Sequence, residues 1–333
     1  MIVDVHAHGL SEDFIVEAAG DPRRGWRVEI AAPRQYIAAD YGPLDSLLYD
    51  VEGRLASLRS RNVVLQLISP PPPLVAALGH AADVATARRL NASTAKLVAD
   101  GEGLLAGLAV PAIGEPDRAA NELRAAVERH GFAGVMLPSS AGDRPLDTAA
   151  FAPLFAAIEE MQLFAFMHPT GSYLSAVLRE FTLPIIIGWP TETSVAVTRL
   201  IFSGVLERHP RLKLVLAHGG GTLPYLLGRL DQAFFAPHYE ANPACRSNIS
   251  QPPSHYLRQI YFDTAVLHPK TLHFLIEEMG ADHVLFGSDF PYEIGDTDGA
   301  IALTSLDGAA AATRTAILFG NARRLLGKTV PER

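Results

Sequence analysis

The 333-residue sequence predicts an α/β fold, a (β/α)8 TIM barrel with a small insertion after its first strand. Three observations lead there. Eight short β-branched or aromatic runs alternate with Ala/Leu/Arg-rich segments of helical period. The runs are nearly continuous in apolar residues, as parallel strands covered on both faces must be. No Gly-x-Gly-x-x-Gly follows the first run, which argues against an open dinucleotide-binding sheet.

In order, the runs are "IVDVHAH" (2–8), "VVLQLIS" (63–69), "LAGLAVP" (105–111), "AGVMLPS" (133–139), "LFAFMHP" (163–169), "LKLVLAHGG" (212–220), "IYFDTAV" (260–266) and "VLFGSDFP" (284–291). Helical candidates between them include 119–131, 151–161, 195–209 and 270–280. We read residues 1–333 as one barrel domain. Residues 9–50 form an insertion after the first strand, and the Pro-, Asn- and aromatic-rich 231–259 form a long loop covering the site or making a dimer contact. The stiff "SPPPPL" (69–74) reads as a polyproline turn leaving the second strand.

Hydrophobic residues make up 48% of the chain, enough for a large core, and the formal net charge is −8. An acidic balance gives no basic patch for nucleic acid or an anionic membrane. Apolar stretches are interrupted well before the ~18 residues a membrane span needs. Cys245 is the single cysteine, so no intrachain disulfide forms and a cytoplasmic, reducing location is expected.

In such a barrel, chemistry gathers at the C-terminal ends of the strands. That rule sorts the twelve histidines. His6 and His8 end the first run, His168 the fifth and His218 the sixth, and Asp289 lies near the end of the eighth. His130, His209 and His283 fall in helix-to-strand connections on the opposite face, and His80 and His273 fall within helices. His238, His255 and His268 lie in loops and are read as non-catalytic. Two histidines one residue apart on a strand present both imidazoles on one face. His6, His8, His168 and Asp289 then make a three-histidine, one-aspartate set suited to one divalent cation, Zn2+ first and Mn2+ as the alternative. Four buried polar groups satisfied only by one another would leave their desolvation uncompensated.

The stretches "DVHAH" (4–8), "DVEGRLASL" (50–58), "HP" (168–169), "PTET" (190–193), "LAHGGGTLPYLLGRLDQAF" (216–234), "YFDTAV" (261–266) and "LFGSDFPY" (285–292) resemble the amidohydrolase superfamily over almost the whole chain. Within it the sequence is most similar to the group around 2-amino-3-carboxymuconate-6-semialdehyde decarboxylase, which includes aromatic-acid decarboxylases. The resemblance implies that His6, His8, His168 and Asp289 are the metal ligands. It implies that His218 activates water at the metal or shuttles a proton, a role suited to a group titrating near neutrality. It also implies that Arg54 holds a substrate carboxylate and that Arg229 is donated across a homodimer to the neighbouring subunit's site. Superfamily members with two metals bridge them by a lysine ending the fourth strand. None of the four lysines here, Lys96, Lys213, Lys270 and Lys328, is so placed, so one metal is expected. The group pattern has tryptophans where this chain has Thr170 and Ile185, so its pocket wall is smaller and less aromatic, although Trp189 is close by.

Asp4 reads as support one pleat below His6, and Glu192 and Asp263 as further supporting carboxylates. The leading expectation is non-oxidative decarboxylation of a small unsaturated or aromatic carboxylic acid. The alternative is a hydrolase or hydratase acting on an ester, lactone, amide or activated alkene with the same groups. A regulatory protein that had lost activity would have eroded a ligand or the base, and all five are present.

Overall fold

The computed structural model describes residues 1–20, 27–38, 42–80, 84–171, 178, 180–236 and 245–331. Eight parallel strands hydrogen-bond in chain order: β1 (Ile2–His8), β2 (Val63–Ser69), β3 (Leu105–Ala109), β4 (Gly134–Pro138), β5 (Phe164–His168), β6 (Lys213–Leu216), β7 (Tyr261–Asp263) and β8 (Val284–Leu285). The ring closes through Val5 N donating to Phe286 O, Asp289 N to His6 O and His8 N to Phe290 O. Helices α1 (Val51–Ser60), α2 (Val84–Asp100), α3 (Pro116–His130), α4 (Ala152–Glu160), α5 (Trp189–Phe202), α6 (Leu223–Phe235), α7 (Pro269–Met279) and α8 (Asn321–Leu326) occupy the connections and follow β8. The (β/α)8 architecture expected from the alternation is present.

Every residue of β1 to β5 is buried, which is why their sequences are apolar without alternation. Helix ends follow local chemistry: Pro116 opens α3 and Gly131, at φ 66°, closes it in the left-handed region. The last strands are shorter than their apolar runs. In 284–291 the ladder stops at Leu285, and Asp289 adopts φ 59°. Backbone bonds to β1 nevertheless continue to Phe290, so the apolar run reports burial beyond regular pairing.

The insertion contains a helix (Glu12–Gly20) and an antiparallel sheet of Val28–Ala32, Gln35–Ala38 and Gly42–Pro43, while its residues 21–26 and 39–41 lie outside the described residues. Tyr36 Oη donates to Glu12 Oε1 at 2.7 Å and joins its two parts. Of the long loop expected over 231–259, residues 231–235 instead continue α6, 237–244, with His238, likewise lie outside the described residues, and the rest includes a short helix, Pro253–Leu257, that buries Tyr256. Among the described residues no helix is long and apolar enough to cross a membrane.

Candidate functional site

β1 pairs with β2 through Asp4 opposite Gln66 and Ala7 opposite Ile68, so β1 carries one extra residue between them. This bulge lies at His6, the kind of irregularity that re-aims side chains beside active sites. Asp4, His6 and His8 are all fully buried.

The ends of β1, β5 and the segment after β8 bring His6, His8, His168 and Asp289 together, with one potential ligand atom of each within 4.8 Å of the others. His6 Nε2 and His8 Nε2 are 3.3 Å apart, and they lie 3.1 and 3.3 Å from Asp289 Oδ1. That oxygen and His168 Nε2 are buried without a hydrogen-bond partner among the described residues. Each imidazole is held by its other nitrogen. His6 Nδ1 meets Asp263 Oδ2 at 2.6 Å, His168 Nδ1 meets Pro169 O at 2.7 Å, and His8 Nδ1 lies 3.2 Å from Ser69 Oγ and 3.3 Å from Pro70 O. Anchoring Nδ1 presents Nε2 as the lone-pair donor, the arrangement that outer carboxylates and carbonyls impose on metal-binding histidines.

The charges agree. Burial lowers His8, and burial with His218, His8 and His6 around it holds His168 well below its ordinary value, so both imidazoles are neutral. Burial works to raise the Asp289 carboxyl, but the imidazoles of His6, His218 and His8 hold it well below the usual carboxylate range. Burial would lower His6, yet Asp289 and Asp263 outweigh it and raise the group to about 10. The carboxylates of Asp263 and Asp289 thus call for positive charge between them, which the protonated His6 supplies here and a divalent cation would supply in place of that proton. The donor set fits one divalent cation.

His218 sits just after β6 in a backbone that sequence alone does not reveal. It adopts φ 55°, a left-handed conformation rare for a side-chain-bearing residue, as Asp289 also does. Its Nε2 is 3.6 Å from Asp289 Oδ2, and its ring stacks on Trp189 at 6.2 Å between centroids. The three glycines after it are all left-handed. At Gly221 a Cβ would lie 2.0 Å from Pro190 O. Gly221→Ala is therefore expected to cost about 2 kcal/mol or more, read as a lower urea midpoint at unchanged slope. An unshifted midpoint would show that the turn relaxes freely.

Supporting residues lie around this cluster. Asp263 Oδ1 accepts from Gly219 N at 2.9 Å, so one carboxylate orients His6 and fixes the turn carrying His218. Glu192, at the start of α5, accepts from Ser139 Oγ, Thr170 N and Gly171 N at 2.8, 3.2 and 2.8 Å, clamping the chain just beyond His168. Asp4 accepts from Gln66 Nε2, Ser288 Oγ and the backbone N–H groups of His6 and Ser288, tying β1 to β2 and to the segment after β8. Tyr292, whose ring centre is 5.2 Å from that of His8, was not singled out from sequence, although it ends the "SDFPY" run.

The two arginines are placed differently from the four clustered residues and His218. Arg54, expected to hold a substrate carboxylate, is 1% exposed and committed to the protein itself. Its Nε and Nη2 donate to Leu47 O, its Nη1 to Gln66 Oε1 and its Nη2 also to His8 O. Here the guanidinium satisfies buried carbonyls beneath the site. Arg229 is exposed on α6 and does not line the cavity beside His218 in its own chain.

Beside His218 and Asp289 opens a cavity of about 360 Å3, walled by Ile185, Ile186, Trp189, Val266, Leu267 and Ile294. Ile185 and Trp189 both line this cavity.

Comparison with known proteins places these features in a family. The chain is 28% identical over 334 residues to the 2-amino-3-carboxymuconate-6-semialdehyde decarboxylase of Dictyostelium discoideum, covering 98% of this chain and 91% of that one. It is 32% identical to a 6-methylsalicylic acid decarboxylase of Aspergillus aculeatus, covering 87% of this chain and 84% of the relative. The crystal structure of a dihydroxybenzoic acid decarboxylase from Polaromonas sp. JS666, with bound manganese and the inhibitor 2-nitroresorcinol, superposes with a TM-score of 0.78 at 24% identity, over 98% of this chain and 96% of that one. The family model described as amidohydrolase matches residues 3–328, nearly the whole barrel with the four clustered residues and His218, and the chain belongs to that family.

Proposed function

We propose that this protein is a metal-dependent, non-oxidative decarboxylase of a small aromatic or unsaturated carboxylic acid, a carboxy-lyase. His6, His8, His168 and Asp289 are the ligands of one divalent cation, and His218 is the proton carrier. The observation that carries this reading is the convergence of three anchored imidazoles and Asp289 beside His218 and an apolar cavity. The decarboxylase names of the relatives support the reaction class. Zn2+ suits three imidazoles and a carboxylate, and Mn2+ is what the similar Polaromonas enzyme holds.

A divalent cation bound there supplies Lewis-acid stabilisation of negative charge on the substrate oxygens. Asp263 keeps the His6 proton on Nδ1, and Glu192 holds the turn after His168. His218 Nε2 delivers a proton to the carbon that bears the carboxylate. The bond to the carboxylate then breaks, its electron pair returns to the conjugated system, and CO2 leaves with the proton in its place. Open to the cavity, the imidazole can give up that proton and regain it from solvent in each cycle.

The protein is further proposed to be one barrel domain acting as a cytoplasmic homodimer, with 231–259 at the site's cover or the subunit contact. Arg229 shares the exposed surface of α6 with Tyr225 and Phe235, which supports self-association there. The single cysteine supports a reducing compartment.

The test is to load the chelator-stripped protein with Mn2+ or Zn2+ and assay hydroxybenzoates and carboxylated muconate semialdehydes. CO2 release that vanishes on stripping and returns with metal is the expected result. Metal-dependent cleavage of esters or lactones, with no CO2 from any acid, would instead establish a hydrolase.

A further inference from the structure

The four imidazoles at the barrel mouth are held in two different ways. His6, His8 and His168 are each pinned through Nδ1, to Asp263 Oδ2, to Ser69 Oγ and Pro70 O, and to Pro169 O. His218 has no such anchor among the described residues. Its Nδ1 is buried without a hydrogen-bond partner, and its Nε2 stands 3.6 Å from Asp289 Oδ2, too far for a hydrogen bond. What meets its ring is aromatic surface. The Trp189 indole lies over it with 24° between the planes, and the rings of His6 and His168 meet it edge-on at 5.3 and 5.0 Å.

The indole is itself fixed from both sides. α5 begins at Trp189, and its first turns dock on the turn that carries His218. Thr222 N donates to Ser194 Oγ at 2.8 Å, and Ser194 Oγ donates to Pro190 O at 2.8 Å. On the other side Glu192 accepts from Thr170 N and Gly171 N, just beyond His168. A Cβ at Gly171 would lie 3.2 Å from Trp189 Nε1, and the indole meets the His168 ring edge-on at 5.4 Å. Trp189 is thus wedged, 9% exposed, between the chain after β5 and the chain after β6.

We infer that Trp189 is the positioning residue for His218: its indole face sets the plane of the imidazole, in place of the hydrogen-bonded anchor that the other three imidazoles have. This deepens the decarboxylase reading and rests on it for the proton that His218 carries. Stacking fixes a ring plane without drawing on either ring nitrogen. An anchor at Nδ1 would instead pin one tautomer. A proton carrier alternates between charged and neutral forms, so it is better held by its face, and an aromatic face also favours the charged form. Without the indole the imidazole is free to turn about its bond to Cβ. Carrying Nε2 about 1 Å away from the substrate carbon costs about 100-fold in rate.

The experiment compares Trp189→Leu and Trp189→Phe with the parent, all loaded with Mn2+, by turnover and by crystal structure. With the hydroxybenzoate or muconate semialdehyde that the parent turns over fastest, Trp189→Leu is expected to lower kcat about 100-fold while KM and bound metal stay within about threefold. Trp189→Phe keeps an aromatic face and should recover at least about tenfold of that loss. In the crystal, the His218 imidazole of Trp189→Leu should leave its parental plane while His6, His8 and His168 superpose on the parent. A raised KM with kcat unchanged would make Trp189 a cavity wall only, and overturns the inference. So does a phenylalanine variant as impaired as the leucine one, or a His218 ring that keeps its plane in Trp189→Leu. Loss of metal from Trp189→Leu also overturns it, because the indole would then act on His168. If Trp189→Leu does not fold, Trp189→Met, whose unbranched chain fills irregular gaps, is read in the same way. Should no acid yield CO2 even with the parent, the decarboxylase reading fails, and the ring plane in the crystal alone decides the role of Trp189.

Discussion

Replacing His218 by alanine is expected to lower kcat by about 100- to 10,000-fold, the range general acid–base groups contribute, while bound metal stays near one per chain. The geometry separates the two readouts. His218 is outside the four-residue cluster, and its Nε2 stands 3.6 Å from Asp289 Oδ2, beside the ligands and open to the cavity. Its side chain is 15% exposed, whereas those of His6 and His8 are fully buried. Alanine adopts the same left-handed backbone at a cost comparable to that of histidine, so the Gly219–Gly221 turn is preserved. Metal content by atomic spectroscopy, with kcat from CO2 release, decides the role. Loss of the ion on His218→Ala would make His218 a ligand. Activity within tenfold of the parent would pass the proton-carrying role to another group, with Asp289 the nearest ionised candidate.

The parts of this site that were legible from sequence were those that regular strands deliver. A residue ending an apolar run of a barrel must face the mouth, so His6, His8 and His168 could be placed from run boundaries alone. β2 spans the residues read for it, because its apolar run is bounded by the turn at Asn62 and by Pro70. Asp289 and His218 were assigned correctly to the mouth, but the left-handed backbone that aims each of them is a tertiary outcome with no local signature. The cavity wall was only half legible. Ile185 stood out against the group pattern, whereas Val266, Leu267 and Ile294 come from turns whose approach depends on where three connections cross. Asp263 and Glu192 could be suspected as polar groups in buried surroundings, yet their partners, a histidine ring for one and two backbone N–H groups for the other, are visible only in three dimensions.

Arg54 shows the limit most plainly, and its replacement separates two accounts of the residue. On α1 it occupies the same helix as the buried Leu55 and Leu58, so its sequence context is equally compatible with a substrate anchor and a buried guanidinium. The structure gives it three oxygen partners and places its charge 4.8 Å from the centre of the Phe290 ring. Burial lowers the guanidinium to about 10 although Asp4 opposes the shift, so it remains charged at neutral pH. Arg54→Met keeps much of the side-chain volume but strands Leu47 O, Gln66 Oε1 and His8 O in a dry interior. Removing one member of such a buried charged network costs about 3–5 kcal/mol. The expected result is a urea midpoint lowered by that free energy divided by the slope, together with weaker metal retention, because the backbone of the ligand His8 loses its anchor. A carboxylate-binding arginine would behave in the opposite way, raising KM several-fold while stability and bound metal stayed as in the parent. That second outcome would require the guanidinium to leave its three carbonyl partners when substrate arrives. The network beneath β1 would then be a moving part, and the rigid support inferred for His8 would have to be abandoned.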